Sequence, residues 1–164
     1  MDSSMLLLFL ILWGVLHSLL ASIAVKELIR KRFGVNFFKY YRLFYNFFAV
    51  LSFLPIIWLL VFLHDTPLYS IPKPWIYFSL SAQLISLCIL VIGIKQTGAL
   101  KFLGLNMFPG EKVPEENGLN TSGLYKYVRH PLYSAGLVFM WCSPTMTSNS
   151  LLVSICLSVY VVIG

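Results

Sequence analysis

Met5–Val25 reads MLLLFLILWGVLHSLLASIAV and contains no charged side chain. A bilayer core about 30 Å thick requires about 20 helical residues, so this stretch predicts a helix that crosses a membrane. Asp2 precedes it, where a cleaved signal peptide would carry basic residues, and the apolar run is too long for a signal sequence. We therefore expect a retained transmembrane helix.

Two more stretches indicate that the chain crosses the membrane repeatedly. Leu43–Leu63 and Trp75–Ile94 are likewise uncharged throughout. Each is long enough to span the apolar core of a bilayer as a helix. Together with Met5–Val25 they predict three full transmembrane helices.

The remaining apolar sequence is shorter and predicts two more spans. Leu132–Met146 indicates a fourth helix that starts near Tyr125 or Val128, and the polar run 147–150 reads as a turn. Leu151–Gly164 is apolar again but shorter than a full crossing requires. We interpret residues 1–164 as one domain that lacks its C-terminal cytoplasmic part. The fold class predicted is an all-α polytopic transmembrane helical bundle of about five spans, with the last two as a hairpin.

Composition narrows the class of protein. Only 11% of the 164 residues are charged, against about 25% in soluble chains. Too few charges are present to cover a water-exposed surface, which excludes a soluble enzyme, a disordered chain and a nucleic-acid-binding module. The net charge of +6 is clustered, so we attribute it to membrane topology and lipid contact and expect no nucleic-acid partner.

The distribution of basic residues predicts the orientation. Residues 26–42 carry six basic side chains and one acidic, and residues 95–129 carry five basic and three acidic. Residues 64–74 carry one of each. Because positively charged loops stay in the cytoplasm, we place both basic loops there and the N-terminus outside. We expect a prokaryotic inner membrane.

One polar segment, LNTSGLYKYVRHPLY over 119–133, could hold a binding site. Pro131 suits the first turn of a helix, whose free N–H groups attract anions. Arg129 adds a permanent cation and His130 a side chain that titrates near neutral pH. The alternative is a purely structural role as an anchor at the membrane interface, since Arg and Tyr are common where helices leave the membrane.

The same segment resembles a known family. The string Leu119-x-Thr121-Ser122-Gly123-x-Tyr125-x-Tyr127-Val128-Arg129-His130-Pro131-x-Tyr133-x-x-Gly136 is similar to the signature of the integral-membrane methyltransferases. These are the isoprenylcysteine carboxyl methyltransferases and their prokaryotic relatives. The resemblance implies S-adenosylmethionine as methyl donor. The dispersed cysteines, Cys88, Cys142 and Cys156, predict no metal site. The residues implied to bind it, with Arg129 added for its charge, are Asn117, Gly118, Leu119, Asn120, Tyr125, Arg129, His130, Pro131, Leu132 and Tyr133. The family's site is completed by a segment that follows the hairpin, which this sequence does not contain. We assign no catalytic residue beyond Arg129 and His130 as candidates for positioning the methyl donor.

The first half of the chain resembles a narrower branch. Trp13-Gly14-x-x-His17-Ser18-x-x-Ala21-Ser22 and Tyr41-Arg42-x-x-Tyr45-Asn46 are similar to the NnrU-like branch. That branch includes thiol S-methyltransferases such as methanethiol methyltransferase. It is also related in sequence to the haem-containing zeta-carotene isomerases. We take three residues from these motifs as substrate-site candidates, namely His17, Arg42 and Asn46.

Several polar residues inside the predicted helices have competing interpretations. His17, placed mid-span, is a neutral histidine bonded to a neighbouring helix, a substrate- or proton-handling group, or a haem ligand. Arg42 either extends to the headgroups or lines the same cytoplasmic site as His130. The polar stripe on the third helix predicts interhelical hydrogen bonds, from Ser79, Gln83 and Ser86.

These observations favour S-adenosylmethionine-dependent methyl transfer at the membrane–cytosol boundary. The expected acceptor is a lipophilic molecule or a small thiol or carboxylate. One alternative is an NnrU-like, haem-associated membrane oxidoreductase or isomerase. The other is a non-catalytic membrane protein with a vestigial site. The sequence specifies neither the acceptor nor the oligomeric state.

Overall fold

The computed structural model describes residues 3–105 and 123–163. In chain order the elements are α1 Ser3–Ala21, α2 Ile23–Phe38, α3 Tyr41–Phe62, β1 Pro67–Ser70, α4 Ile76–Thr97, α5 Ala99–Leu103, α6 Pro131–Trp141, β2 Thr145–Thr147 and α7 Ser148–Ile163. A single 3₁₀ turn, Gly123–Lys126, precedes α6. Helices therefore dominate the described part of the chain, as the long apolar runs predict.

Three helices are long and apolar enough to cross a membrane, and they confirm the three full spans predicted. α1, α3 and α4 contain 19, 22 and 22 residues, or about 28 to 33 Å of helix. α6 and α7 are apolar but contain only 11 and 16 residues, about 16 and 24 Å. The fold is an all-α membrane bundle, and the chain is an integral membrane protein.

Side-chain packing joins α1, α3 and α7. A buried cluster between α1 and α3 is covered on one side by α7. In lipid such contacts stabilise by close packing and hydrogen bonding, because lipid is as apolar as the side chains themselves. The members of the cluster are Leu6, Leu10, Ile56, Leu59 and Leu63.

Hydrogen bonds across the membrane-spanning region join α4 to α6 and the residue that follows it. Ser79 donates to the carbonyl of Cys142, and Gln83 donates to the carbonyl of Phe139 at 3.0 Å. Both confirm the interhelical bonding predicted for the polar stripe. Ser86 differs, because its hydroxyl donates to the carbonyl of Ala82 in its own helix at 2.8 Å.

The basic segment at 26–42, described from its charge as a loop, is largely helical. α2 begins after Ser22, whose hydroxyl accepts the N–H of Val25 at 3.3 Å. Lys, Glu and Arg are good helix formers, which accounts for a helix in so polar a segment. Gly34 interrupts it at φ +79°, a conformation that glycine adopts without steric cost.

A short antiparallel ribbon, absent from the prediction, pairs β1 with β2. Pro67 lies opposite Thr147 and Ser70 opposite Thr145, with an irregularity between Pro67 and Tyr69. The fourth apolar run therefore ends as helix at Trp141 and continues as a strand. The turn predicted at 147–150 is also wrong. Thr147 is the last residue of β2, and Ser148 is the first residue of α7.

The ribbon defines one end of the bundle, which we call the sheet end; it comprises Ser3, residues 64–70 and residues 145–149. The opposite end, the motif end, comprises α2, α5 and residues 123–133. The predicted hairpin of the last two spans agrees with this arrangement, because the connection from α6 to α7 lies at the sheet end. Which end faces the cytoplasm stays a prediction from charge.

Candidate functional site

α6 begins at Pro131, as the proline predicted, and the start near Tyr125 or Val128 expected for the fourth span is wrong, because residues 123–126 form a separate 3₁₀ turn. Pro131 occupies the first turn, and His130 precedes it with φ −129° and ψ 65°. The His130 side chain does not cap the helix. The N–H groups of the first turn have no intrahelical partners and carry the positive end of the helix dipole. An anionic or polar ligand group therefore finds hydrogen-bond donors here.

A cavity of about 190 Å³ opens at this helix start, and we call it the motif cavity. His130 stacks on Tyr133 with ring centroids 5.5 Å apart and planes 14° from parallel. Five of the residues that the resemblance implied line the motif cavity together. The sixth lining residue, Phe102 of α5, was not predicted from the sequence. The lining residues are Phe102, Tyr125, His130, Pro131, Leu132 and Tyr133.

The end of α4 holds the 3₁₀ turn in place. The side-chain oxygen of Gln96 accepts the N–H of Leu124 at 2.9 Å, and the hydroxyls of Thr97 and Tyr125 lie 2.9 Å apart. Gly123 has φ +58°, and a Cβ there would lie 2.3 Å from the amide nitrogen of Gln96. Glycine is therefore required at this position for both its conformation and its size.

Asn46 supports the opposite wall of the motif cavity. Its amide nitrogen donates to the carbonyl of Phe102 at 2.9 Å and so ties α5 to α3. Gly104 brings the same segment against the backbone of Arg42 and Leu43, where a Cβ would lie 2.7 Å from the Leu43 nitrogen. Asn46, predicted as a substrate residue, thus acts on the cavity through Phe102.

His17 lies near the motif end. It stands four residues before Ala21, the last residue of α1, which is about 6 Å along the axis, and not mid-span as expected. Its Nε2 atom is 2.6 Å from the hydroxyl of Tyr45 on α3. This bond confirms the interpretation as a histidine bonded to a neighbouring helix; the role in substrate or proton handling stays open.

Aromatic rings surround His17. Trp13 stacks on it at 4.8 Å and 15°, Tyr45 lies at 4.9 Å, and Tyr160 of α7 stands edge-on at 6.1 Å. Its other nitrogen, Nδ1, is buried without a hydrogen-bond partner. An axial haem ligand needs a free nitrogen that faces a cavity. Nε2 is engaged, and the surrounding rings leave no space for a macrocycle the size of haem beside Nδ1, so these residues do not fit the haem alternative.

Other predicted residues lie away from the motif cavity. Arg129 is exposed beside it and is not among its lining residues, and Arg42 is exposed at the start of α3. Their roles stay predictions. Asn117, Gly118, Leu119 and Asn120 lie outside the described residues.

A second cavity, an apolar groove of about 360 Å³, runs between α4 and α6 beside the 3₁₀ turn. We call it the α4–α6 groove. Ile85 and Ile89 line it from α4, and Leu124 and Val128 line it from the segment before α6. Pro131 borders both cavities, so the polar site and the apolar groove share one wall.

Fold and site together define a polytopic α-helical membrane protein with a binding cavity where a loop meets a helix. The chain belongs to the family described as "Protein of unknown function (DUF1295)", which matches residues 1–163. No solved structure matches the chain.

Curated relatives are methyltransferases by name. The chain is 32% identical over 111 residues to the methanethiol S-methyltransferase of a Pseudomonas species (strain GM41), covering 60% of this chain and 40% of that protein. It is 37% identical over 51 residues to the enzyme of the same name from Pseudomonas deceptionensis, covering 31% and 20%. It is 42% identical over 41 residues to methanethiol S-methyltransferase 1 of Bradyrhizobium diazoefficiens, covering 25% and 14%. The matched regions thus span less than half of each relative.

Proposed function

We propose that this chain carries out S-adenosylmethionine-dependent methyl transfer at the membrane surface, with a small or lipophilic thiol as acceptor. The observation that carries the proposal is the convergence of Tyr125, His130, Pro131, Leu132 and Tyr133 on one cavity. These are the residues that the methyltransferase resemblance implies for the methyl donor. The relatives named for methanethiol methylation support a thiol in preference to a carboxylate.

The motif cavity fits the chemistry of such a methyl donor. The aromatic faces of Phe102, Tyr125 and Tyr133 suit a flat adenine ring and a positively charged sulfonium. The unpaired N–H groups at the start of α6 suit a carboxylate. At about 190 Å³ the cavity accommodates part of the molecule, and residues 106–122, outside the described part, adjoin it in sequence.

S-adenosylmethionine supplies a methyl group on a cationic sulfur, and the protein's task is to position that group and exclude water. His130 and the α6 N–H groups would hold the polar ends of the ligand. Thr97 and Gln96 keep Tyr125 and the 3₁₀ turn in register with α6. Orientation of two reactants can lower a barrier by roughly 7–11 kcal/mol, so such supports matter to the rate.

The α4–α6 groove suggests how a lipophilic acceptor approaches. It is apolar and lies at the helix surface, and it shares Pro131 with the motif cavity. An acceptor dissolved in the membrane could reach the site from the side without crossing water. The methyl donor, which is water-soluble, would reach the motif end from the aqueous phase.

Binding of radiolabelled S-adenosylmethionine to the full chain in lipid nanodiscs tests the proposal. We expect micromolar-range affinity, weakened at least tenfold in His130→Ala, which is about 1.4 kcal/mol. His64→Ala is the matched control, because His64 lies at the sheet end and its side chain is exposed.

Equal affinities for wild type and His130→Ala would contradict the assignment of the motif cavity. Complete absence of binding to the wild type would favour the vestigial-site alternative. Binding without methylation of any of a panel of thiols would contradict the acceptor class alone.

A further inference from the structure

The half-buried pair formed by His17 and Tyr45 has one buried nitrogen without a hydrogen-bond partner among the described residues. Nε2 lies 2.6 Å from the Tyr45 hydroxyl. Among the described residues, Nδ1 of His17 is the one buried polar side-chain atom that has no hydrogen-bond partner. A buried polar atom left unpaired is unfavourable unless a ligand satisfies it. Such a group in a folded protein requires an explanation, and a catalytic role is one of those known.

The pair lies beside the residue of α3 that supports the wall of the motif cavity. Tyr45 is followed by Asn46, whose side chain holds the carbonyl of Phe102 in the cavity wall. His17 therefore contacts, through Tyr45, the turn of α3 that supports the wall of the motif cavity.

A thiol acceptor needs a proton acceptor at this place. The nucleophile is the thiolate, and a simple thiol is mostly protonated at neutral pH. The described membrane-spanning helices α1, α3 and α4 contain no Asp or Glu. His17 is the histidine in those three helices, and histidine is the side chain that titrates near neutral pH.

We infer that His17 is the catalytic base that removes the proton from a small thiol acceptor, and that Tyr45 is its positioning residue. The inference rests on the proposed function. We assign to the neutral pair the tautomer in which Nε2–H donates to the Tyr45 oxygen, because only that tautomer leaves a lone pair on Nδ1. The same hydrogen bond stabilises the imidazolium once Nδ1 is protonated.

The step balances without an external reagent. The S–H bond breaks, its electron pair stays on the acceptor sulfur, and the proton bonds to Nδ1. That sulfur then forms a bond to the methyl carbon, whose bond to the cationic sulfur breaks with its electron pair moving to that sulfur. One proton remains on His17 and is released to solvent after the products leave.

The surroundings of His17 limit the acceptor to a small molecule. Trp13 and Tyr45 cover the ring, and Tyr160 lies across from it with its hydroxyl 3.2 Å from the hydroxyl of Ser18. The Tyr160 ring also contacts Gly14 closely enough that a Cβ there would lie 3.4 Å from it. A thiol with a short alkyl group is the class that such an enclosure admits after a small movement of Tyr160.

The test measures thiolate formation in the absence of any methyl donor. Methanethiol is added at neutral pH to the full chain in nanodiscs, and the ultraviolet absorbance of the thiolate is recorded against protein-free nanodiscs. We expect a thiolate band with the wild type and at least a tenfold smaller band with His17→Gln. The control His64→Gln should match the wild type.

Tyr45→Phe removes only the hydroxyl and separates positioning from catalysis. It should weaken the band several-fold and move the pH at which the band appears upward, whereas Tyr41→Phe, whose hydroxyl bonds to the carbonyl of Leu20, should leave that pH unchanged. S-adenosylmethionine binding to His17→Gln is measured in parallel and should equal that of the wild type, which also shows that the variant is folded.

A wild-type chain that binds the methyl donor but gives no thiolate band would overturn this inference and leave the proposed function standing. A band of equal size in the wild type and His17→Gln would overturn it too. Absence of methyl-donor binding to the wild type would instead overturn the proposed function.

Discussion

The two ends of the bundle treat polar groups in opposite ways. At the sheet end, the fully buried Asn149 accepts a hydrogen bond from Ser3 at 3.2 Å and donates to the carbonyl of His64 at 3.2 Å. Asp65 accepts bonds from the Ser148 hydroxyl at 2.9 Å and the Asn149 N–H at 3.0 Å. At the motif end, Nδ1 of His17 is unpaired and the His130 side chain leaves the start of α6 uncapped. The sheet end pairs its polar groups to fix helices, whereas the motif end, beside similar bonds, leaves free the two groups that the proposed ligand sites would use.

The largest expected effect comes from removing the centre of the sheet-end network. Asn149→Ala leaves the carbonyl of His64 without its partner, and each such buried group costs about 1–3 kcal/mol. We expect a loss of about 2–4 kcal/mol in stability, measured as a lower melting temperature in detergent, with S-adenosylmethionine affinity unchanged in the folded protein. Asn36→Ala, at an exposed position of α2, is the control. An unchanged melting temperature for Asn149→Ala would remove the contrast between the two ends.

An intermediate effect is expected where the motif end depends on backbone shape. Gly123→Ala places a methyl group against Gln96 and forces an L-residue to φ +58°, a conformation that costs about 1–2 kcal/mol. We expect about a tenfold weaker affinity for S-adenosylmethionine, or about 1.4 kcal/mol, together with a melting temperature lowered by the strain. Gly136→Ala is a matched control, because a Cβ at that position meets nothing within 4 Å. Equal affinities for the two variants would show that the 3₁₀ turn does not shape the site.

The smallest effect concerns pH at the sheet end. Partial burial would raise the pKa of the Asp65 carboxyl, but hydrogen bonds from Thr147, Asn149, Ser148 and Thr66 outweigh it and hold the pKa below its ordinary value of 3.8. The stabilisation is therefore complete above the ordinary value and is lost as the pH falls through the lower, folded-state pKa. Because Asp65 caps α7, we expect at most about 1 kcal/mol.

Melting curves from weakly acidic to strongly acidic pH for wild type and Asp65→Asn measure this dependence. Asparagine keeps an acceptor oxygen but does not titrate, so the part of the acid destabilisation that belongs to Asp65 should be absent in the variant. Identical pH profiles would show that Asp65 contributes no pH-dependent stability.

The sequence predicted the features that depend on long uniform runs or on one compact motif. Three long uncharged stretches gave the three long helices, and Pro131 correctly marked the start of α6. Tyr125 and His130 were brought to one cavity as the resemblance implied. Each of these signals lies within one short, continuous stretch of chain.

Features that join distant segments carried no such signal. β1 and β2 are four and three residues long, too short for alternation to stand out from apolar background. Gln96 and Thr97 looked like ordinary polar residues at a membrane interface, and only the fold shows that they hold Leu124 and Tyr125. Nothing in the sequence distinguished Phe102 from the other aromatic residues. Its place in the cavity wall depends on the hydrogen bond from Asn46.

The pairing of distant segments at the sheet end also imposes an order on biogenesis. The bond from the Asn149 N–H to Asp65 joins residues 84 positions apart. β1 can pair only after β2, at a similar distance along the chain, has been made. During synthesis α1, α3 and α4 can enter the membrane before the residues that clamp them exist. The clamp forms only when the chain has been made through Asn149. Until then α1 and α3 are joined at that end by the apolar cluster that contains Leu6 and Leu63.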